Sequence, residues 1–235
     1  MNILCIVAHP DDIEILCAGT MVRYAQQGHQ LNFAIFTSGN MGDAVIEPGK
    51  LAEIREKEAL DAAQIIGAKV IWPGVMDEHV FPDVEQRRLM IDILREADPD
   101  VIFTHAPNDY HPDHRYVSQL VFDSYFQKGL PHIPGQYLGA CRFGQSQLYY
   151  MDNLGGIDFS PTEYVDISDV FEIKKAMLAC HKSQFEAMQN LADTQLFDLI
   201  EVQSRFRGMA AGCKYAEGFT RLDAFQRGLT KRILP

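Results

Sequence analysis

The tripeptide His-Pro-Asp occurs twice in this chain, each time just after a short apolar run. AHPDD (residues 8–12) follows NILCIV, and YHPDH (residues 110–114) follows VIFTHAP. Together the two copies supply three imidazoles, His9, His111 and His114, and three carboxylates, Asp11, Asp12 and Asp113. These are the side chains that hold zinc and carry protons. One copy alone would read as polar residues filling a surface loop. Two copies at matching places behind strands favour a metal site.

The elements that must position them follow from hydrophobic periodicity. Apolar runs predict strands at residues 2–8, 30–37, 69–72 and 100–105. Helical spacing predicts helices at 14–27, 50–66, 84–97 and about 114–127, closed by Gly28, Gly67 and Gly129 where a stop is visible. Strands alternating with helices imply βαβ units, so the expected fold is α/β: a Rossmann-like, doubly wound, mainly parallel sheet with helices on both faces. Beyond residue 130 the pattern loosens around strands at 147–151 and 163–167. Ser168-Asp169 leads into a helix reaching about residue 187, another helix over 193–209 and a docked tail follow, and the C-terminal part should form a cap or wall. No linker divides residues 1–235, which read as a single domain.

In open α/β sheets ligands bind beyond the carboxyl ends of the strands, where strand order reverses. The commonest doubly wound order places the first and fourth strands side by side at that reversal. The two motifs, about a hundred residues apart, would then share one crevice. A dinucleotide fold would carry G-x-G-x-x-G at the first turn. His-Pro-Asp-Asp stands there instead, and its two carboxylates would repel a phosphate.

Composition narrows the class further. The 235 residues are 47% hydrophobic and 23% charged, ordinary for a protein with a real core. A net charge of -11 argues against nucleic acid. Five cysteines with no C-x-x-C pair argue against a disulfide framework, and Cys5, Cys17 and Cys180 read as core filler. Neither a leader nor a membrane-spanning run is apparent, so a reducing cytoplasm is the expected compartment.

At these residues the chain resembles the LmbE/PIG-L family of zinc-dependent N-acetylglucosaminyl deacetylases. The resemblance runs through AHPDD with Gly19, TSGNMGD (37–43), REKEALDAAQIIGAK (55–69), YHPDHR (110–115), YVDIS (164–168) and KKAMLACHKSQF (174–185). It implies that His9, Asp12 and His114 ligate Zn2+, that Asp11 is the general base, and that His111 is the acid or oxyanion partner. It implies a small amino-sugar substrate contacted by Arg55, with His181 lining the site. Without it, Arg55 would read as part of a solvated helix face and His181 as a satisfied buried histidine. Asp113 is expected either to pair with His111 and hold it charged or to cap the helix ahead of His114. Two histidines and one carboxylate leave zinc a position for water, the pattern of a catalytic site. If Asp11 works ionised and His111 protonated, activity should follow a bell in pH. His105 ends a strand within reach of the crevice, but no motif includes it. Two positions before His111 some relatives have tyrosine where this chain has Asp109. Many have an acidic residue near Asn40. Other readings are a zinc hydrolase of another amide or ester, or a non-catalytic metal-binding domain. The oligomeric state, homo-oligomer included, is left open.

Overall fold

The computed structural model describes residues 1–136, 146–154, 156–192, 195–224 and 233–235, without the side chains of 189–192. The chain order is β1 (Asn2–Val7), α1 (Asp12–Leu16), α2 (Ala18–Gln26), β2 (Gln30–Ile35), α3 (Pro48–Gln64), β3 (Lys69–Ile71), α4 (Val84–Ala97), β4 (Val101–Thr104) and α5 (Pro112–Gln127). Then come β5 (Gln147–Met151), β6 (Glu163–Asp166), α6 (Phe171–Leu178), α7 (Lys182–Ala192), α8 (Leu196–Ala211) and β7 (Ala216–Arg221). One sheet runs β3-β2-β1-β4-β5-β7-β6. Its first five strands are parallel, and β7 runs antiparallel to both β5 and β6. The fold is therefore α/β and mostly parallel, and β1 lies beside β4 as the strand-order argument requires.

Alternation along β1 divides the core. Ile3, Cys5 and Val7 point to one face with Phe33, Phe103 and Tyr149, under residues of α1, α2, α3 and α6. Leu4 and Ile6 point to the other with Ile102, Leu148 and the inner residues of α4 and α5. A strand buried on both faces reads as one continuous apolar run, and NILCIV does.

Three expectations change. The helix at 14–27 is two helices, broken at Cys17. The break leaves the N–H groups of Gly19 and Thr20 without helical acceptors, and Glu217 of β7 takes both, at 2.9 and 2.7 Å. Buried Lys174 donates to the same carboxylate (2.6 Å) and to the carbonyl of Ile15 (2.9 Å), so the charge under the helix start is balanced. The helix expected after Ser168-Asp169 and reaching about 187 is also two, separated by residues 179–181, with His181 buried. Finally, β7 has no counterpart in the sequence reading. The expected tail lies largely outside the described residues; Ile233 and Leu234 do pack against the core, and Tyr24 donates to the Ile233 carbonyl (3.1 Å). Cys5 and Cys17 are buried as expected, whereas Cys180 is half-buried.

A candidate metal centre at the strand-order reversal

Both motifs stand at the carboxyl ends of adjacent strands. After β1 the chain passes through His9 and Pro10 to Asp11, whose backbone sits at φ +101°, a strained conformation for a residue with a Cβ. Asp12 opens α1 immediately afterwards. After β4 the chain runs to His111, whose Nδ1 accepts the backbone N–H of Asp113 (3.2 Å) as the cap of α5. Pro112 takes the first helical position, where no N–H is needed. His114 is thereby aimed at His9.

The three expected ligands converge. His9 Nδ1 lies 3.2 Å from His114 Nε2. One oxygen of Asp12 is 3.4 Å from His114 Nε2 and the other 3.5 Å from His9 Nδ1. Ligand atoms at zinc-bonding distance around a tetrahedral ion are roughly 3.3–3.6 Å apart, so this donor set fits the metal. The far nitrogen of each imidazole meets a carboxylate. His9 Nε2 is 3.2 Å from Asp113 Oδ2, and His114 Nδ1 is 3.0 Å from Asp109 Oδ1. Such pairs fix the tautomer and turn the other nitrogen's lone pair toward a cation. In the metal-free protein the same carboxylates hold protons on the rings. Burial opposes the charge, but Asp113 and Asp12 lift His9 to about 10, and Asp12 and Asp109 lift His114 to about 9.

Asp113 therefore does not pair with His111, nor does it cap α5. Its carboxylate serves His9 and accepts the backbone N–H of Glu78 (2.8 Å), while His111 is itself the cap. With Nδ1 accepting, neutral His111 is assigned a proton on Nε2, which lies 3.4 Å from Glu78 Oε1. Burial, then the charges of His9 and His114, push its pKa down to about 4. At neutral pH His111 is thus a hydrogen-bond donor rather than an imidazolium.

Asp11 lines the same cavity, with its carboxylate beside Arg55. Burial, which outweighs the opposing charge of Arg55, raises its pKa to about 6. Arg55 Nη2 is 3.3 Å from Asp11 Oδ2 and also donates to the Pro10 carbonyl, while Nη1 donates to the Gly39 carbonyl (3.0 Å). At 3% exposure Arg55 is no solvated helix face; it ties the first motif to the loop after β2. A Cβ on Gly39, itself at φ +68°, would come within 2.6 Å of the Arg55 guanidinium, which explains the glycine. His181 is fully buried with Nε2 3.2 Å from Glu14 Oε2, behind Asp11 and not among the cavity-lining residues. From the same segment Ser183 bonds Glu58 of α3, and Gln184 reaches the cavity.

Four residues at the site escaped the sequence reading. Asp109 orients His114. The His105 ring stacks on His114 (centroids 4.0 Å apart), and its Nε2 accepts the Ala8 N–H (2.9 Å) and lies 3.3 Å from Asp12. Asp77 accepts the N–H groups of Gly39 and Met41, and Glu78 (φ +61°) borders His111. Only His105 gave a signal, its place at the end of a strand. The cavity in front of these groups holds about 290 Å³. Its lining combines His9, Asp11, Asp12, His111 and His114 with Leu154 and, from α7 and α8, Gln184, Met188, Leu196 and Leu199. The C-terminal helices do form the expected wall.

Fold and site together define an α/β protein with a His-Asp-His centre at the sheet's strand-order reversal. Residues 4–125 match the PIG-L family, described as GlcNAc-PI de-N-acetylase, and the chain belongs to that family. It is 28% identical to diacetylchitobiose deacetylase of Thermococcus kodakarensis, over all of this chain and 86% of that protein. It is 29% identical to a probable N-acetyl-alpha-D-glucosaminyl L-malate deacetylase 2 of Bacillus cereus, over 82% of this chain and 87% of that protein. The structure of N,N'-diacetylchitobiose deacetylase from Pyrococcus horikoshii superposes with a TM-score of 0.80 at 27% identity, covering 94% of this chain and 83% of that one. The 4-carboxy-2-hydroxymuconate hydratase of Pseudomonas putida KT2440 shares the fold at a TM-score of 0.81 and 20% identity, covering 99% of this chain and all of that one. Among the described residues no helix is long and apolar enough to cross a membrane.

Proposed function

We propose that this protein is a metal-dependent de-N-acetylase acting on an N-acetylglucosamine unit of a small molecule or glycoside. The reading is carried by one observation: two imidazole nitrogens 3.2 Å apart, each with one Asp12 oxygen 3.4–3.5 Å away and each ring backed by a carboxylate, with the further carboxylate of Asp11 beside them. His9, Asp12 and His114 would hold the metal, which on donor chemistry we take to be zinc, with no thiolate in the set. When bound, the metal would act as a Lewis acid on the amide carbonyl and lower the pKa of water. Asp11, ionised above a pKa of about 6, accepts a proton from the attacking water and returns it to the amide nitrogen as the C–N bond breaks, leaving acetate and the free amine. His111 donates from Nε2 to the oxygen on which negative charge builds, and Arg55 and Gln184 border the space for the sugar. The names of the deacetylase relatives support the amino-sugar substrate.

A hydratase is the second reading, since a 4-oxalmesaconate hydratase of Pseudomonas putida is 22% identical over 77% of the chain. The deacetylase relatives weigh against it, being 28% and 29% identical over 100% and 82% of the chain. The cavity lining is compatible with a hydrolase of another amide or ester. A binding domain without catalysis would have no use for a strained, buried Asp11 beside the ligands. Free buried thiols agree with a reducing compartment, which we take to be the cytoplasm.

The test is acetate release from a panel of N-acetyl sugars and glycosides by the zinc-loaded protein, alongside Asp11→Asn. Release that disappears in Asp11→Asn is expected. Hydration of an unsaturated dicarboxylate without any acetate release would decide for the hydratase.

A further inference from the structure

A second, larger cavity of about 600 Å³ lies against α8 and shares two wall residues, Leu154 and Leu199, with the metal-site cavity. Its outer wall is formed by Val202 and Phe206, large apolar side chains that are 68% and 60% exposed. Asp152 and Arg207, also in the lining, are paired with each other, Arg207 Nη2 donating to Asp152 Oδ1 at 2.9 Å, which leaves Asp198 as the lining's other charged side chain.

We propose that this cavity is the subsite for an apolar or aromatic group attached to the amino sugar. The inference rests on the de-N-acetylase reading and extends it to the substrate's other end. Three observations select this occupant. The metal-site cavity, about 290 Å³, lies at the lower edge of the roughly 300–1,000 Å³ usual for small-molecule sites, so it has room for little more than the sugar. Its apolar residues Leu154 and Leu199 also line the second cavity, so the two cavities adjoin along an apolar edge. The balanced pair and the exposed Val202 and Phe206 favour an uncharged group with an apolar face over an anionic one, which the exposed carboxylate of Asp198 in the lining would repel.

The experiment compares kcat/KM for free N-acetylglucosamine and its p-nitrophenyl β-glycoside in the wild type, Val202→Asp and Phe206→Ala. Both variants alter exposed positions away from the metal ligands. The wild type should prefer the aryl glycoside by roughly 10- to 100-fold, the range for burying one large apolar group. Both variants should lose most of that preference while kcat/KM for the free sugar stays the same. Titration calorimetry with phenyl β-glucoside, which has no amide to cleave, is run in parallel and should show weaker binding in both variants. No preference in the wild type, or a preference unaltered in both variants, overturns the subsite. If no N-acetyl sugar is turned over at all, the de-N-acetylase reading fails and the calorimetry decides: weaker binding in Val202→Asp upholds the subsite, and equal or no binding overturns it. If sedimentation shows that Val202→Asp divides an oligomer, a second copy of the chain covers this face and the subsite is overturned.

Discussion

His9 Nδ1 and His114 Nε2 face each other across 3.2 Å, and in the metal-free protein the carboxylates behind them favour a proton where the cation would sit. Metal and proton compete for these nitrogens. Zinc affinity should therefore rise from pH 6 toward pH 9, and binding at pH 7 should release at least one proton. Calorimetry in buffers of different ionisation enthalpy measures this; uptake without proton release would remove the two rings from the ligand set. His114→Ala should abolish stoichiometric zinc, read by elemental analysis. Asp11→Asn should keep the metal and lose about two to four orders of magnitude in turnover, as loss of a general base does. The pH profile separates the two roles of His111. An ionising Asp11 gives kcat/KM an acidic limb near pH 6. A neutral His111, at about 4, puts no limb near neutrality, so the profile should rise through pH 6 and stay level beyond it. A bell whose basic limb vanishes in His111→Ala would restore the imidazolium acid. The proposed ligands and base could be read as sequence neighbours within two motifs. Asp109, Asp77 and Glu78 could not, because their roles depend on how three strand ends and a loop come to rest against each other.

At the level of elements, strands whose burial is two-sided announced themselves, and β4, α4 and β5 fall within a residue of expectation. The failures have a common physical cause. β7 is AEGFTR, with a glycine and two charged residues, and nothing in its composition says that Glu217 is destined for the start of α2. The break at Cys17 is equally silent, since the apolar spacing continues through it. Long-range caps of this kind override local periodicity. Glu217→Ala would leave Lys174 charged and buried without its partner, and a loss of about 3–5 kcal/mol is expected, measured by urea unfolding. Glu217→Gln, which can still accept one N–H, should lose less. Equal stability in all three proteins would show that the Lys174 charge is relieved in some other way.

Across the whole molecule, the placement of Glu217 has a consequence in time. All three proposed ligands have been synthesised once residue 114 is made, and β1, β2 and β4 can already pair. The helix that starts just behind the first motif is still without the acceptor for its Gly19 and Thr20 N–H groups, which arrives about two hundred residues after them in the chain. The loop that must close to deliver it spans most of the sequence, so closure comes late and its entropy weighs on the folding rate. During translation the first motif stands beside an unfinished helix until the last strand docks. A nascent chain is then expected to hold metal loosely, if at all, and to acquire its site as one of the final events of folding.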